Sequence, residues 1–242
     1  MSRLTVLTVV ILLSLSSFGQ NKTIDVPADK NLREVLANSL QYVEPDFLWG
    51  RVLHNDGSVS EAFLNYNLLL GEMHFILLDT ETGNDKVLSL ANPEAINFIT
   101  IGKRLFIFDK RYGYMEVLVN GQIKLLKKSK LEIKAGDRPR DSYGYLPESA
   151  SSSTLNYFGG ENFIYAPDRE EIIKANTVRE DRYYAMKSKS INPLSSKSAL
   201  FKTSAKKHRD ELSSYQNSLK GFWNDEQNLI EYFKFANKLE KE

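Results

Sequence analysis

The sequence predicts a mainly antiparallel β protein with a helical C-terminal part, an α+β chain. Three observations carry this. From Phe47 to about Lys134, short segments rich in aromatic and β-branched residues alternate with turn residues. Within several segments apolar and polar side chains alternate, the mark of strands with one wet face. Beyond Pro193 the apolar spacing changes to threes and fours, which is helical. A composition of 42% hydrophobic and 26% charged residues over 242 positions is that of a globular chain, neither disordered nor fibrous.

The first segment reads as an address rather than as fold. Arg3 supplies a positive start, Leu4 to Leu15 is an apolar run broken only by Thr5, Thr8 and Ser14, and Ser17 and Gly19 place small residues before Gln20. The run is too short to span a bilayer, so the expectation is a secretory signal peptide, 1–19, removed to leave a body in the periplasm or outside the cell. No later stretch approaches spanning length, so no integral membrane span is expected after cleavage.

Leu32, Val35, Leu36, Leu40 and Val43 then predict a short amphipathic helix behind a possible cap at Asp29, ended by Pro45. The strands follow: Phe47 to His54, Val59 to Leu68, Glu72 to Leu78, Val87 to Ala91, Ile96 to Ile101, Leu105 to Lys110, Tyr114 to Val119, and a return from Gln122. Turns are expected at Asn55-Asp56-Gly57, Gly71, Asn92-Pro93 and Asn120-Gly121, the last as a type I′ hairpin in which both residues take positive φ. Met73, Phe75 and Leu77 share one face, as do Met115, Val117 and Val119; Glu72, His74 and Glu116 fall on the opposite, wet side. Such a meander covers its apolar face by forming a small sandwich or barrel, between which the pattern does not choose.

Residues 135–160, rich in Ser, Gly and charge, read as a linker or mobile loop between a β-rich domain at 20–134 and a small α+β region at 161–242. In the latter, Phe163 to Ala166, Glu170 to Ala175 and Arg182 to Lys187 are strands of a small mixed sheet or late additions to the first one. Two helices close the chain. Ala205 to Leu219 carries Leu212, Tyr215 and Leu219, with Gly221 as its C′ residue. The second, behind a box-like Asn224 and Gln227, carries a stripe of Leu229, Ile230, Phe233, Ala236 and Leu239.

Composition also excludes chemistries. Without cysteine there is no disulfide, thiolate nucleophile, cysteine zinc site or lipidated N-terminus. With 32 basic against 31 acidic residues, nucleic acid is not an expected partner. His54, His74 and His208 lie on separate elements, and no metal-ligand spacing joins them. Asp79, Glu81, Asn84 and Asp85 offer oxygens but lack the order of a calcium loop. Ser204 and Lys207 match S-x-x-K without its supporting elements. Glu61, Glu72, Glu94 and Glu116 could furnish a glycosidase pair only if folding brought two together. Thus no catalytic, cofactor-binding or metal-binding residue is assigned, and no cofactor is expected. Lys124, Lys127, Lys128, Lys130 and Lys134, and the acid-free Lys187 to Arg209, read as a solvated edge strand and helix face rather than as contacts to an anionic polymer. Tyr112, Tyr114, Tyr143, Tyr145, Tyr157 and Phe158 read mostly as core anchors, with sugar stacking as the other use of such rings.

The run from Leu64 to Phe75 after Asn55-Asp56-Gly57 resembles a segment of a family of exported β-rich proteins of Bacteroidota-type bacteria that has no assigned activity. The leader ending at Gln20, the Leu90 to Glu94 turn and the closing Asp225 to Leu239 segment are similar too. The resemblance implies export and architecture and no reaction. The expectation is an exported, non-catalytic binding or scaffolding module of the cell envelope with a protein or polysaccharide partner. A carboxylate glycan hydrolase and an assembly partner that uses a sheet edge are the alternatives.

Overall fold

The computed structural model describes residues 22–26, 35–36, 38–79, 83–135, 173–195, 200, 208–219 and 225–241. Among these residues eleven strands make one sheet: β1 (Lys22–Val26), β2 (Leu48–His54), β3 (Val59–Asn67), β4 (Glu72–Leu77), β5 (Lys86–Ser89), β6 (Ile96–Ile101), β7 (Arg104–Asp109), β8 (Gly113–Val119), β9 (Ile123–Ala135), β10 (Ile173–Lys187) and β11 (Ser190–Pro193). The helices are α1 (Asn38–Gln41), α2 (Arg209–Ser218) and α3 (Glu226–Leu239). The sheet order is β1-β10-β9-β8-β7-β6-β2-β3-β4-β5, with β11 also on β10, and each of these pairings is antiparallel. The α+β class and the strand run are therefore as the residue pattern predicts. The leader, residues 136–160 of the linker, the predicted strand Phe163 to Ala166 and positions 32–34 and 37 of the first predicted helix lie outside the described residues.

The meander neither closes into a barrel nor splits into a sandwich. Its sheet stays open and coils, so that the Leu131 N–H of β9 donates to the Leu68 carbonyl just past β3, at 2.9 Å, although four strands lie between them along the sheet. Inside this coil lies one core, built from Val52, Leu64, Tyr66, Met73, Ile99, Ile101, Phe106, Tyr114 and Leu131 among others. A second core lies on the same face further along β8, β9 and β10. There Val119, Ile123, Leu125 and Ala185 receive Leu229, Tyr232, Phe233, Ala236 and Leu239 of α3 together with Leu212 of α2. The described parts of two predicted C-terminal strands, 173–175 of Glu170 to Ala175 and all of Arg182 to Lys187, belong to the single long β10 and so join the first sheet. Because β10 flanks β9, the lysine-rich β9 is an interior strand and not a solvated edge.

The Asn120-Gly121 turn joins β8 and β9 without the expected backbone. Neither residue has positive φ, and the register pairs Val119 with Leu125. The glycine serves another need, since a Cβ on Gly121 would overlap the side-chain amide of Asn237 on α3. That amide accepts from the Ile123 N–H at 2.9 Å and donates to the Ile123 carbonyl at 2.7 Å, which satisfies both backbone groups as a neighbouring strand would. Cap placement on α3 shifts by one residue: Asp225, not Asn224, is the N-cap, and its carboxylate accepts from the Gln227 N–H.

Candidate functional site

Between the two cores, on the same sheet face, runs a chain of charges. Glu116, Lys127 and Tyr183 occupy one straight row across β8, β9 and β10. Arg104 of β7 donates through Nη1 to Glu116 Oε1 at 2.7 Å and through Nε to Glu44 Oε1 at 2.5 Å. Lys127 Nζ lies 3.6 Å from Glu116 Oε2 and donates at 2.8 Å to Glu226 Oε2, which also accepts from the Tyr183 hydroxyl at 3.0 Å. The signs alternate from Glu44 to Glu226, so each charge meets its opposite. Burial works against the Arg104 charge, but Glu44 and Glu116 outweigh it and raise its pKa further. Burial, then the Glu226 charge and hydrogen bond, push the Tyr183 hydroxyl far above the usual phenol range. Glu116 and Lys127 are buried, which corrects the expected wet face. Strand β8 is covered on both sides, since Met115 and Val117 pack with Leu126 and Tyr184 on the outer face.

A second polar chain lies at the other end of the sheet. The buried His74 pairs through Nδ1 with the Tyr42 hydroxyl at 3.0 Å and through Nε2 with Glu72 Oε2 at 3.3 Å, and Glu72 Oε2 accepts from Ser89 Oγ at 2.6 Å. In this order the serine meets the carboxylate and not the imidazole, so the histidine does not activate it as a nucleophile. The remaining candidates scatter. His54 bonds Ser60 on the adjoining strand, and His208 stands just before α2. Glu61 pairs with Arg51, and Glu94 with Lys110. Among the described residues no three His, Asp or Glu side chains cluster as a metal site. Tyr114 is a core residue and Tyr112 packs on Tyr184. Glu81, Ser204, Lys207, Tyr143, Tyr145, Tyr157 and Phe158 lie outside the described residues.

Apolar surface meets solvent on the outer face of β2 to β5, at Trp49, Val59, Phe63 and Val87, and also at Leu48, Leu77, Leu78 and Leu88. Trp49 and Phe63 are directly paired, with ring centroids 5.2 Å apart and planes at 77°. One step past the Leu64–Phe75 pair, the row continues through Ile76, which is paired with Val87 on β5. Four neighbouring strands thus present Trp49, Phe63, Ile76 and Val87 in line, with Trp49 55% and Val87 51% exposed. The next row on that face is the exposed Arg51–Glu61 ion pair, and beyond it stands the Leu53–Val59 pair. Among the described residues β5 has no strand on its outer side. The sequence hides this site because β2 and β3 carry apolar side chains on both parities, so alternation marks no wet face there. The signal available was the aromatic pair Trp49 and Phe63 flanking a hairpin.

Comparison with known proteins gives no match: no family model, no curated protein and no solved structure is similar to this chain.

Proposed function

We propose that the chain is an exported, non-catalytic binding module of the cell envelope that engages a protein partner through the outer face of β2 to β5. The observation that carries this reading is the Trp49–Phe63–Ile76–Val87 row, in which Trp49, Phe63 and Val87 are exposed and Ile76 is half-buried. Contiguous exposed apolar surface is rare on monomers unless it binds something. The leader at Leu4 to Leu15 supports export. A protein partner suits the row better than a polysaccharide does, because two of its four side chains are aliphatic and its two rings stand edge to face rather than as one flat platform. The hydrolytic alternative is less well supported. The four carboxylates singled out above are held by internal partners, Glu61 by Arg51, Glu72 by His74 and Ser89, Glu94 by Lys110, and Glu116 by Arg104 and Lys127.

A photo-crosslinking residue placed at position 49 in native cells tests this. The expected result is a protein adduct at 49 that is absent when the same probe replaces the exposed Lys110. Equal labelling at both positions, or none at 49, overturns it.

A further inference from the structure

We propose that the occupant of this face is a second copy of the chain, packed face to face about a two-fold axis that runs parallel to the strands between β2 and β3; the proposal rests on the binding face described above. The argument is one of self-complementarity. The face carries three successive cross-strand pairs, Trp49–Phe63, Arg51–Glu61 and Leu53–Val59. A two-fold axis between the two strands sets each member of a pair against the other member from the second copy. Trp49 then meets Phe63 of the second copy, Arg51 meets its Glu61, and Leu53 meets its Val59. Apolar rows meet apolar rows, and the charged row meets its own opposite twice. Isologous contacts of this kind are the commonest route to homodimers, and two sheets stacked face to face is a standard packing.

The area is that of a small interface. Trp49, Val59 and Phe63 are 55, 46 and 37% exposed, and the Arg51 and Glu61 side chains 62 and 47%. At the roughly 150–250 Å² that a large side chain offers, these exposed parts come to about 400–600 Å² per copy, below the ~800 Å² each partner contributes to an interface of ordinary size and within the range of weaker specific pairs. The charge pattern also argues against a lipid surface, since the face carries a balanced Arg–Glu pair and no basic cluster.

Sedimentation equilibrium of the intact purified chain tests the proposal with two charge reversals, Arg51→Glu and Glu61→Arg. Both positions are solvent-exposed, and circular dichroism reports whether each variant folds. The wild-type chain is expected to be dimeric, and each variant alone to associate at least about 100-fold more weakly, because two like-charge contacts face each other across the axis. Mixed in equal amounts, the two variants place acids opposite bases at both contacts and should form a heterodimer within about tenfold of wild-type affinity. Should either reversal fail to fold, Trp49→Ser, which removes an exposed ring, is expected to give a folded monomer. A wild-type chain that stays monomeric at about 100 µM overturns the second copy as occupant. So does a dimer whose charge-reversed variants remain dimeric alone, or whose variants stay monomeric when mixed. If the chain is monomeric while the probe at position 49 labels a different envelope protein, the binding module stands and the self-pairing falls. No labelling of any chain at 49 removes both.

Discussion

Replacing Gly121 with alanine tests how the C-terminal helix is held on the sheet. The added methyl meets the Asn237 amide, whose atoms are the three nearest to it. That amide cannot swing aside freely, because it bonds the N–H and the carbonyl of Ile123 and the carbonyl of Phe233. Displacing it leaves two buried backbone groups of Ile123 unsatisfied, at about 1–3 kcal/mol each, in the range that overpacking of a core also costs. Gly121→Ala should therefore destabilise the fold by about 3 kcal/mol, and Asn237→Ala, which removes the same bonds by deletion, by about 3 kcal/mol. The two losses are one loss. In the double variant the methyl meets no amide, so the total should stay near 3 and not reach 6 kcal/mol, a coupling of about 3 kcal/mol. Urea unfolding followed by circular dichroism measures all three variants. Backbone strain makes a different prediction, because its cost would persist in the Asn237→Ala background. Additive losses, or a Gly121→Ala chain as stable as the wild type, would refute the clamp.

Other consequences can be checked with the same assay. Lys127→Met leaves Glu116 buried with one cation fewer and should cost about 3–5 kcal/mol, whereas Glu116→Leu together with Lys127→Met should cost less than the sum of the single losses. Tyr42→Phe removes the hydroxyl on His74 Nδ1 and should cost about 1 kcal/mol. Burial lifts the hydroxyls of Tyr66, Tyr114 and Tyr232 to about 12, above the usual 10. A folded-state value raised in this way contributes stability fully below the unfolded value and loses it as pH climbs from about 10 through 12. A spectrophotometric titration should thus show these phenols ionising only as the chain unfolds. Early, reversible ionisation of all tyrosines would contradict their burial.

Much of the β architecture is legible along the chain because local rules govern it. Gly57 and Gly71 mark turns by requiring positive φ, and Ile96 to Ile101 is bounded by Asn92-Pro93 and Gly102. What is not legible depends on partners distant in sequence. Glu116 and Lys127 read as solvated because nothing nearby announces that Arg104 reaches Glu44, 60 residues away, or that Lys127 reaches Glu226, 99 residues away. His74 is the same case, since its alternation with Met73 is correct while its cover, Tyr42, comes from another element. Asn120-Gly121 misled for a related reason: a glycine is demanded equally by a left-handed backbone and by a close neighbour, and Asn237 supplies the neighbour. The exposed Trp49–Phe63 face was hidden because β2 carries apolar side chains on both parities, Leu48 and Val52 on one and Trp49 and Leu53 on the other.

The pairing of β1 with β10 shapes how the chain reaches its native state. Thr23 donates to the Asn176 side chain, and Thr177 donates to the Lys22 carbonyl, across 153 and 155 residues. A ribbon formed so early in synthesis has no mate until nearly three quarters of the polypeptide has emerged, and closing so wide a loop is entropically unfavourable and slow. Until then its amides stay open to solvent or to a passing holdase. The central hairpins, each zipped from adjacent segments, are free to assemble first and offer the late-arriving strands a finished template.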